Sequence, residues 1–121
     1  MPTFEIKGSY VIISPAEGYS FDGYKSAIRE VAALCRQHGI RKILADIRGI
    51  DVRIPVVERF QLGVAMARIL GSGIQLAILA PSPEYIDRMG ENAAVNRGGR
   101  VFVTHSMDEA LRWLEVQEEK K

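Results

Sequence analysis

An almost wholly apolar run, IQLAILA at residues 74–80, limits the possible folds of this chain more than any other feature of the sequence. Apolar side chains at successive rather than alternate positions indicate a strand that is covered on both faces. A second run, KILADI at residues 42–47, has the same character at its centre. Strands of this kind occur in parallel sheets with helices on both sides, so the sequence predicts an α/β protein.

Helical patterns precede and follow the strand predicted at residues 42–47. Between residues 22 and 38 the apolar side chains recur at spacings of three and four, which predicts an amphipathic helix. Asp22 is the expected N-cap, and Gly39 lies just past the expected end. Pro55 suits the first position of a second helix, which we expect to reach Leu70.

The last third of the chain continues the alternation. Residues 82–84, Ser-Pro-Glu, are typical of a helix start, although Gly90 interrupts the pattern that follows. Residues 100–104 predict a short strand. Ser106 and Glu109 then match a capping box, in which each side chain accepts the backbone N–H of the other residue.

The chain opens with two short strand patterns, residues 3–7 and 10–13, which Gly8 and Ser9 separate. This arrangement predicts an antiparallel hairpin. The complete order is therefore ββαβαβαβα. We expect one domain over residues 1–117, with a mostly parallel five-stranded sheet, an N-terminal antiparallel hairpin and about four helices, followed by a frayed tail at residues 118–121.

Composition excludes several classes of protein. The chain has 121 residues and a net charge of +1, so it lacks the basic excess of a nucleic-acid-binding protein. No apolar run is long enough to cross a bilayer, and the first residues do not resemble a secretion signal. Cys35 is the single cysteine, which excludes an internal disulfide. We expect a cytoplasmic protein that needs no metal or cofactor.

Three segments resemble the SpoIIAA-like fold, which includes the STAS domains of anti-sigma factor antagonists. They are KILADIRGI, GIQLAILA and RGGRVFVTHSMDEALRWLE. The last segment also resembles bacterial STAS-like or CRAL-TRIO-like domains of uncertain function. The resemblance implies a regulatory domain that binds a protein partner, and it covers nearly the whole chain.

The loop DIRGIDVRIP, residues 46–55, is the candidate docking site. In anti-sigma factor antagonists a serine of an Asp-Ser-Ser-Gly-like motif at this place is phosphorylated. Residues 46–56 contain no serine, threonine or tyrosine, so the resemblance does not extend to this switch. The expected partner-binding residues are Arg48, Gly49, Asp51, Arg53 and Ile54. The alternative hypothesis is that the charged residues only form local ion pairs, with Asp46 paired to an arginine.

The loop and Cys35 make poor catalytic groups. Arginines beside Asp46 and Asp51 would lower the pKa values of both carboxyls, which is the wrong direction for a general acid near neutral pH. Cys35 falls on the apolar stripe of the first helix, where it suits a small core residue. No histidines or cysteines stand at metal-ligand spacing. We therefore expect no enzyme activity.

The second helix carries two apolar faces. A broad face runs from Val56 to Leu70, and a second cluster consists of Leu62, Met66 and Ile69. The second cluster is covered either by a neighbouring helix, by a homodimer partner or by an apolar ligand. The ligand alternative predicts a lipid-like molecule in a cavity between the second helix, the third helix and the sheet. The residues expected at a ligand site or interface are Phe60, Leu62, Val64, Met66, Ile69, Tyr85 and Met89.

Overall fold

The computed structural model describes residues 2–14, 20–49, 54–83 and 88–116. The strands and helices follow the predicted order ββαβαβαβα. They are β1 (Thr3–Ile6), β2 (Val11–Ser14), α1 (Phe21–His38), β3 (Lys42–Asp46), α2 (Val56–Leu70), β4 (Gln75–Leu79), α3 (Met89–Val95), β5 (Arg100–Thr104) and α4 (Met107–Leu114). The expected tail at residues 118–121 lies outside the described residues.

The strands form a single five-stranded sheet in the order β1-β2-β3-β4-β5. The first pair is antiparallel, with Phe4 opposite Ile13. The other pairs are parallel, and β3 and β4 align Ile43 with Leu76. The predicted α/β class, the mostly parallel sheet and the opening hairpin are therefore confirmed.

Helices cover both faces of the sheet, as the two apolar strands require. The face that includes Ile43 and Leu76 packs against α1 and α2 in one apolar cluster. The opposite face, with Leu44 and Leu79, packs against α4 in a second cluster that includes Leu114. None of the helices in the described part of the chain combines the length and the apolar character that crossing a membrane requires.

The N-cap of α1 lies two residues before the predicted one. Ser20 is the N-cap, and its hydroxyl accepts the backbone N–H of Gly23 at 3.1 Å. Asp22 lies inside the first turn instead, where its negative charge interacts favourably with the positive end of the helix dipole. Gly39 ends the helix as predicted, with a φ of 68° that glycine adopts without a steric penalty.

The start of α4 contains only half of the expected capping box. The Ser106 hydroxyl accepts the Glu109 N–H at 3.2 Å, as predicted. The Glu109 carboxylate does not accept the Ser106 N–H, because it accepts the hydroxyl of Thr104 at 2.5 Å. Thr104 in turn accepts the Ser106 N–H at 3.1 Å. The buried threonine at the end of β5 therefore satisfies the donor that Glu109 was expected to satisfy.

Glycines bring α2 and α3 into close contact. A side chain at Gly63 would place its Cβ 2.2 Å from the Gly90 carbonyl oxygen and 2.9 Å from the Cβ of Ala93. Gly90 therefore does not break the third helix. It lies in the first turn of α3, where it allows the close approach to α2. The described helix α3 begins at Met89, whereas the residues that follow the predicted helix start at 82–84 lie outside the described part of the chain.

Two side chains protect the outer edge of β5. The Val103 N–H donates to the Glu91 carboxylate at 2.6 Å, and the Arg88 guanidinium donates to the Val103 carbonyl at 2.8 Å. Arg88 and Glu91 also pair with each other at 2.7 Å. The two side chains thus occupy the N–H and the carbonyl of Val103, which an unpaired edge strand would otherwise offer to another chain.

We expect Gly63→Ala to destabilise the protein by about 1–3 kcal/mol, because the added methyl group must push α3 away from α2. The loss should occur although alanine favours an isolated helix by about 1 kcal/mol over glycine. Urea unfolding followed by circular dichroism measures the change. Gly73→Ala is the matched control, since Gly73 has open space around its Cα and should change stability by less than about 0.5 kcal/mol. Equal stability of the two variants would contradict the close packing of α2 on α3.

Candidate docking surface

The parallel strands β2 to β5 all end at one edge of the sheet, which we call the carboxyl edge. Backbone hydrogen bonds extend the sheet slightly beyond the strands at this edge. The Ile47 N–H donates to the Leu79 carbonyl at 3.0 Å, and the Ala80 N–H donates to the Thr104 carbonyl at 2.7 Å. Ligands and partners of open α/β sheets commonly bind at such an edge.

Asp46 and Arg48 form a closed local arrangement at the end of β3. The Arg48 guanidinium donates to both carboxylate oxygens of Asp46, from Nε at 3.0 Å and from Nη2 at 2.9 Å. The Arg48 backbone N–H donates to the same carboxylate at 3.1 Å. The hydrogen bonds from Arg48 lower the pKa of Asp46, against a smaller opposite effect of burial. The local ion pair considered for Asp46 is therefore present, and half of the Arg48 side chain remains exposed for other contacts.

The other expected loop residues have different surroundings. Gly49 lies in an exposed turn next to Arg48. Ile54 is partly buried and packs against the core cluster beneath α1 and α2. Asp51 and Arg53 lie outside the described residues. The described loop residues thus comprise an exposed turn and one apolar anchor.

The first turn of α2 is the most exposed apolar segment near the carboxyl edge. Val56 is 51% exposed, Val57 66% and Phe60 39%. The guanidinium of Arg97 lies 5.0 Å from the centre of the Phe60 ring. We call Arg48, Gly49, Val56, Val57 and Phe60 the docking surface. The sequence pattern places Val56 and Val57 on the broad apolar face of α2, and the structure leaves both side chains exposed.

The second apolar cluster of α2 is covered within the domain. Leu62 is buried, and Met66 and Ile69 are partly buried against the same core cluster. Val64 instead faces the outer groove between α1 and α2. Tyr85 lies outside the described residues, and so does the side chain of Met89, the residue at which α3 begins.

An apolar cavity of about 110 Å³ lies between α1, α2 and the sheet. Its walls include Tyr24 and Ile28 from α1, Leu62 and Met66 from α2, and Ala45 from β3. The ligand alternative placed its cavity between α2 and α3. Of the described side chains expected at a ligand site or interface, Leu62 and Met66 line this cavity, whereas Phe60 and Val64 do not.

Neither Cys35 nor Asp46 has the surroundings of a catalytic group. Burial raises the pKa of the Cys35 thiol, which disfavours the nucleophilic thiolate, although the charge of Arg36 acts in the opposite direction. The lowered pKa of Asp46 keeps this carboxylate ionised and unsuited to donate a proton near neutral pH. In the parts of the chain that the structure describes, no three histidine, cysteine, aspartate or glutamate side chains stand close enough together to hold a metal ion.

No protein-family model and no curated protein sequence matches the chain. Solved structures do match it over nearly its whole length. An anti-sigma factor antagonist from Mycobacterium paratuberculosis superposes with a TM-score of 0.58 at 13% identity, covering 95% of this chain and 93% of that one. The protein TM1081 superposes with a TM-score of 0.56 at 18% identity, covering 97% and 90%. The chain therefore has the SpoIIAA-like fold of STAS domains.

We expect Ala45→Val to stabilise the protein by about 1 kcal/mol, because the added methyl groups enter the cavity and remove part of its cost. Ala77→Val is the matched control. Ala77 is fully buried on the neighbouring strand and faces the opposite cluster, so the larger side chain should cost about 1–3 kcal/mol there. Thermal unfolding of both variants measures the difference. A destabilised Ala45→Val variant would show that the space beside β3 is already filled.

We expect Asp46→Asn to lower stability by up to about 1 kcal/mol at pH 7, because the exposed side of the pair is screened by water. A carboxyl with a lowered pKa stabilises the fold above its ordinary value of 3.8, and this contribution disappears as the pH falls through the lowered value. The difference between wild type and variant should therefore vanish in strong acid. Urea unfolding at several pH values tests this. The control is Glu30→Gln, at an exposed position on α1. A difference that persists in acid would assign the effect to the turn geometry instead.

Proposed function

We propose that this protein is a non-catalytic STAS-like regulatory module that binds a protein partner through the docking surface. The exposed apolar first turn of α2 carries the proposal, because Val56, Val57 and Phe60 form a patch at the carboxyl edge. Soluble domains rarely leave contiguous apolar side chains in water without a binding role. The partly exposed Arg48 beside the patch adds a charge that can orient a partner.

The fold supports this assignment. The matching structure from Mycobacterium paratuberculosis is an anti-sigma factor antagonist, which is a regulatory protein. One fold carries many functions, so the partner here need not be of the same kind. The segment of residues 46–56 offers no hydroxyl side chain, so we propose a docking surface that works without phosphorylation of this loop.

Binding of a lipid-like molecule is less well supported. Pockets that enclose drug-sized ligands usually measure about 300–1,000 Å³. The apolar cavity measures about 110 Å³, which is too small for an acyl chain of ordinary length. Packing within the domain also covers Leu62, Met66 and Ile69 in part or in full. These side chains are therefore poor candidates for a homodimer contact through α2.

We expect a variant with Val56→Ser and Val57→Ser to lose its protein partner. Both side chains are exposed, so the variant should fold normally while the apolar contact with the partner disappears. Affinity capture from the source organism with the tagged chain, followed by quantitative mass spectrometry, measures the loss. Removal of central apolar contacts typically costs at least about 2 kcal/mol, or roughly thirtyfold in affinity.

The control variant carries Phe4→Ser and Ile6→Ser, which remove two exposed apolar side chains of the edge strand β1. Wild type and control should capture the same protein. Retention of that protein by the Val56→Ser, Val57→Ser variant would overturn the proposed surface. A small molecule that co-purifies with the chain in native mass spectrometry, without a protein partner, would overturn the docking function as a whole.

A further inference from the structure

A groove of about 250 Å³ runs between α1 and α2 on the outside of the domain. One wall is a stripe of α1 at spacings of four, formed by Phe21, Lys25 and Arg29. The other wall belongs to α2. Its residues are Gln61, Val64, Ala65, Arg68 and Ile69. The groove is separate from the apolar cavity, which lies beneath the two helices.

The groove has an unbalanced positive charge. Lys25, Arg29 and Arg68 line it, and no acidic side chain is among its described lining residues. Glu30 points about 100° away from Arg29 around α1. Asp22 and Glu58 lie one turn before Lys25 and Gln61 on the two helices, beyond the residues that line the groove. The Lys25 ammonium lies 5.1 Å from the centre of the Phe21 ring, and no carboxylate of the described residues forms an ion pair with it. For a chain with a net charge of only +1, this is a local concentration of charge.

Arg36 adds a further cation beside the same groove. Its guanidinium donates to the carbonyl of Ile69 at 2.7 Å, near the end of α2. This carbonyl belongs to the last turn of the helix, where the dipole is negative, so a cation is favourable there. Arg36 thus has a structural contact that explains its position. Arg29 and Arg68 have no such hydrogen bond or ion pair within the described residues.

The groove continues directly from the docking surface. Val57, Gln61, Val64 and Arg68 follow one another on α2 at helical spacings of three and four, so they share one side of the helix. Val57 is the most exposed apolar residue of the docking surface. A partner that covers Val57 can therefore extend along this side of α2 into the groove and remain in contact with the helix.

We propose that the groove between α1 and α2 receives an acidic segment of the protein partner. The inference rests on the proposed docking function and specifies the chemistry of the partner. An apolar part contacts the docking surface, and aspartate or glutamate side chains lie against Lys25, Arg29 and Arg68. The side chains of Val64 and Ile69, which also line the groove, offer apolar contacts to the same segment. Because these cations are exposed, the charged contacts chiefly determine which partner binds and how fast.

Nuclear magnetic resonance titration of the full chain with hexaglutamate tests the groove without knowledge of the partner. Hexaglutamate should shift the amide signals of the residues that line the groove, and hexalysine should not. Binding should weaken steeply as salt rises, because screening at physiological ionic strength acts over about 8 Å. Shifts confined to other surfaces, or no shifts at low salt, would overturn the proposal.

Two charge-reversal variants provide the matched comparison. Arg29→Glu with Arg68→Glu should weaken hexaglutamate binding by at least about tenfold, because both contacts become repulsive. Arg41→Glu with Arg100→Glu changes the net charge by the same amount at exposed positions outside the groove, and should leave binding largely unchanged. Equal weakening in both variants would overturn the proposal, since net charge alone would then explain binding.

Two further measurements separate this inference from its alternatives. If tripolyphosphate shifts the groove signals and hexaglutamate does not, the groove binds a small anion and the proposal is wrong. The Val56→Ser, Val57→Ser variant retains every groove cation, so it should still bind hexaglutamate. Loss of the captured partner from this variant but not from the Arg29→Glu, Arg68→Glu variant would support the docking surface and overturn the groove.

Discussion

The two central strands must exclude water from both of their faces, and the rest of the structure depends on this requirement. Ile43 and Leu44 are adjacent in β3, point to opposite sides of the sheet and are both fully buried. Burial of a large aliphatic side chain contributes about 1.5–3 kcal/mol. Helices on one side alone would leave half of these side chains in water. The chain therefore places α1 and α2 on one face and α4 on the other.

The parallel arrangement that buries these strands also creates the carboxyl edge. Each parallel strand must return through a helix, so the connections after the strands gather at the same edge. The edge must then satisfy its own backbone and charges. Thr104 and Glu109 do this after β5, and the pair of Asp46 and Arg48 does it after β3. Arg48 thus has a local structural role as well as a place on the proposed docking surface.

The position of α2 determines both proposed binding features. Gly63 brings α2 against α3 at Gly90, and Leu62 and Leu70 hold it against the sheet. These contacts lie in the middle and end of the helix. The first turn lacks comparable cover, so Val56 and Val57 remain in water. The separation of α2 from α1 above the core then leaves the charged groove on the outside and a small cavity beneath.

Sequence reasoning located the region of the candidate site but not the roles of its residues. The loop after β3 was identified because turn residues follow an apolar strand, and this signal is local. The exposure of Val56 and Val57 could not be predicted, because helical periodicity identifies an apolar face without showing which part of that face meets a neighbour. The charged groove was missed because its cations come from two helices that are distant in sequence. The repeat of Phe21, Lys25 and Arg29 on one stripe was the available signal.

Local sequence patterns were sufficient to predict the order of strands and helices, the parallel sheet and the end of α1 at Gly39. These follow from periodicity, from continuous apolar runs and from the backbone freedom of glycine, all of which act over a few neighbouring residues. Tertiary structure alone decided which apolar side chains of α2 are buried, which oxygen satisfies the Ser106 N–H, and where cavities and grooves remain. Those outcomes depend on the distance between elements, because burial, steric contact and charge pairing are set by neighbours that lie far away along the chain.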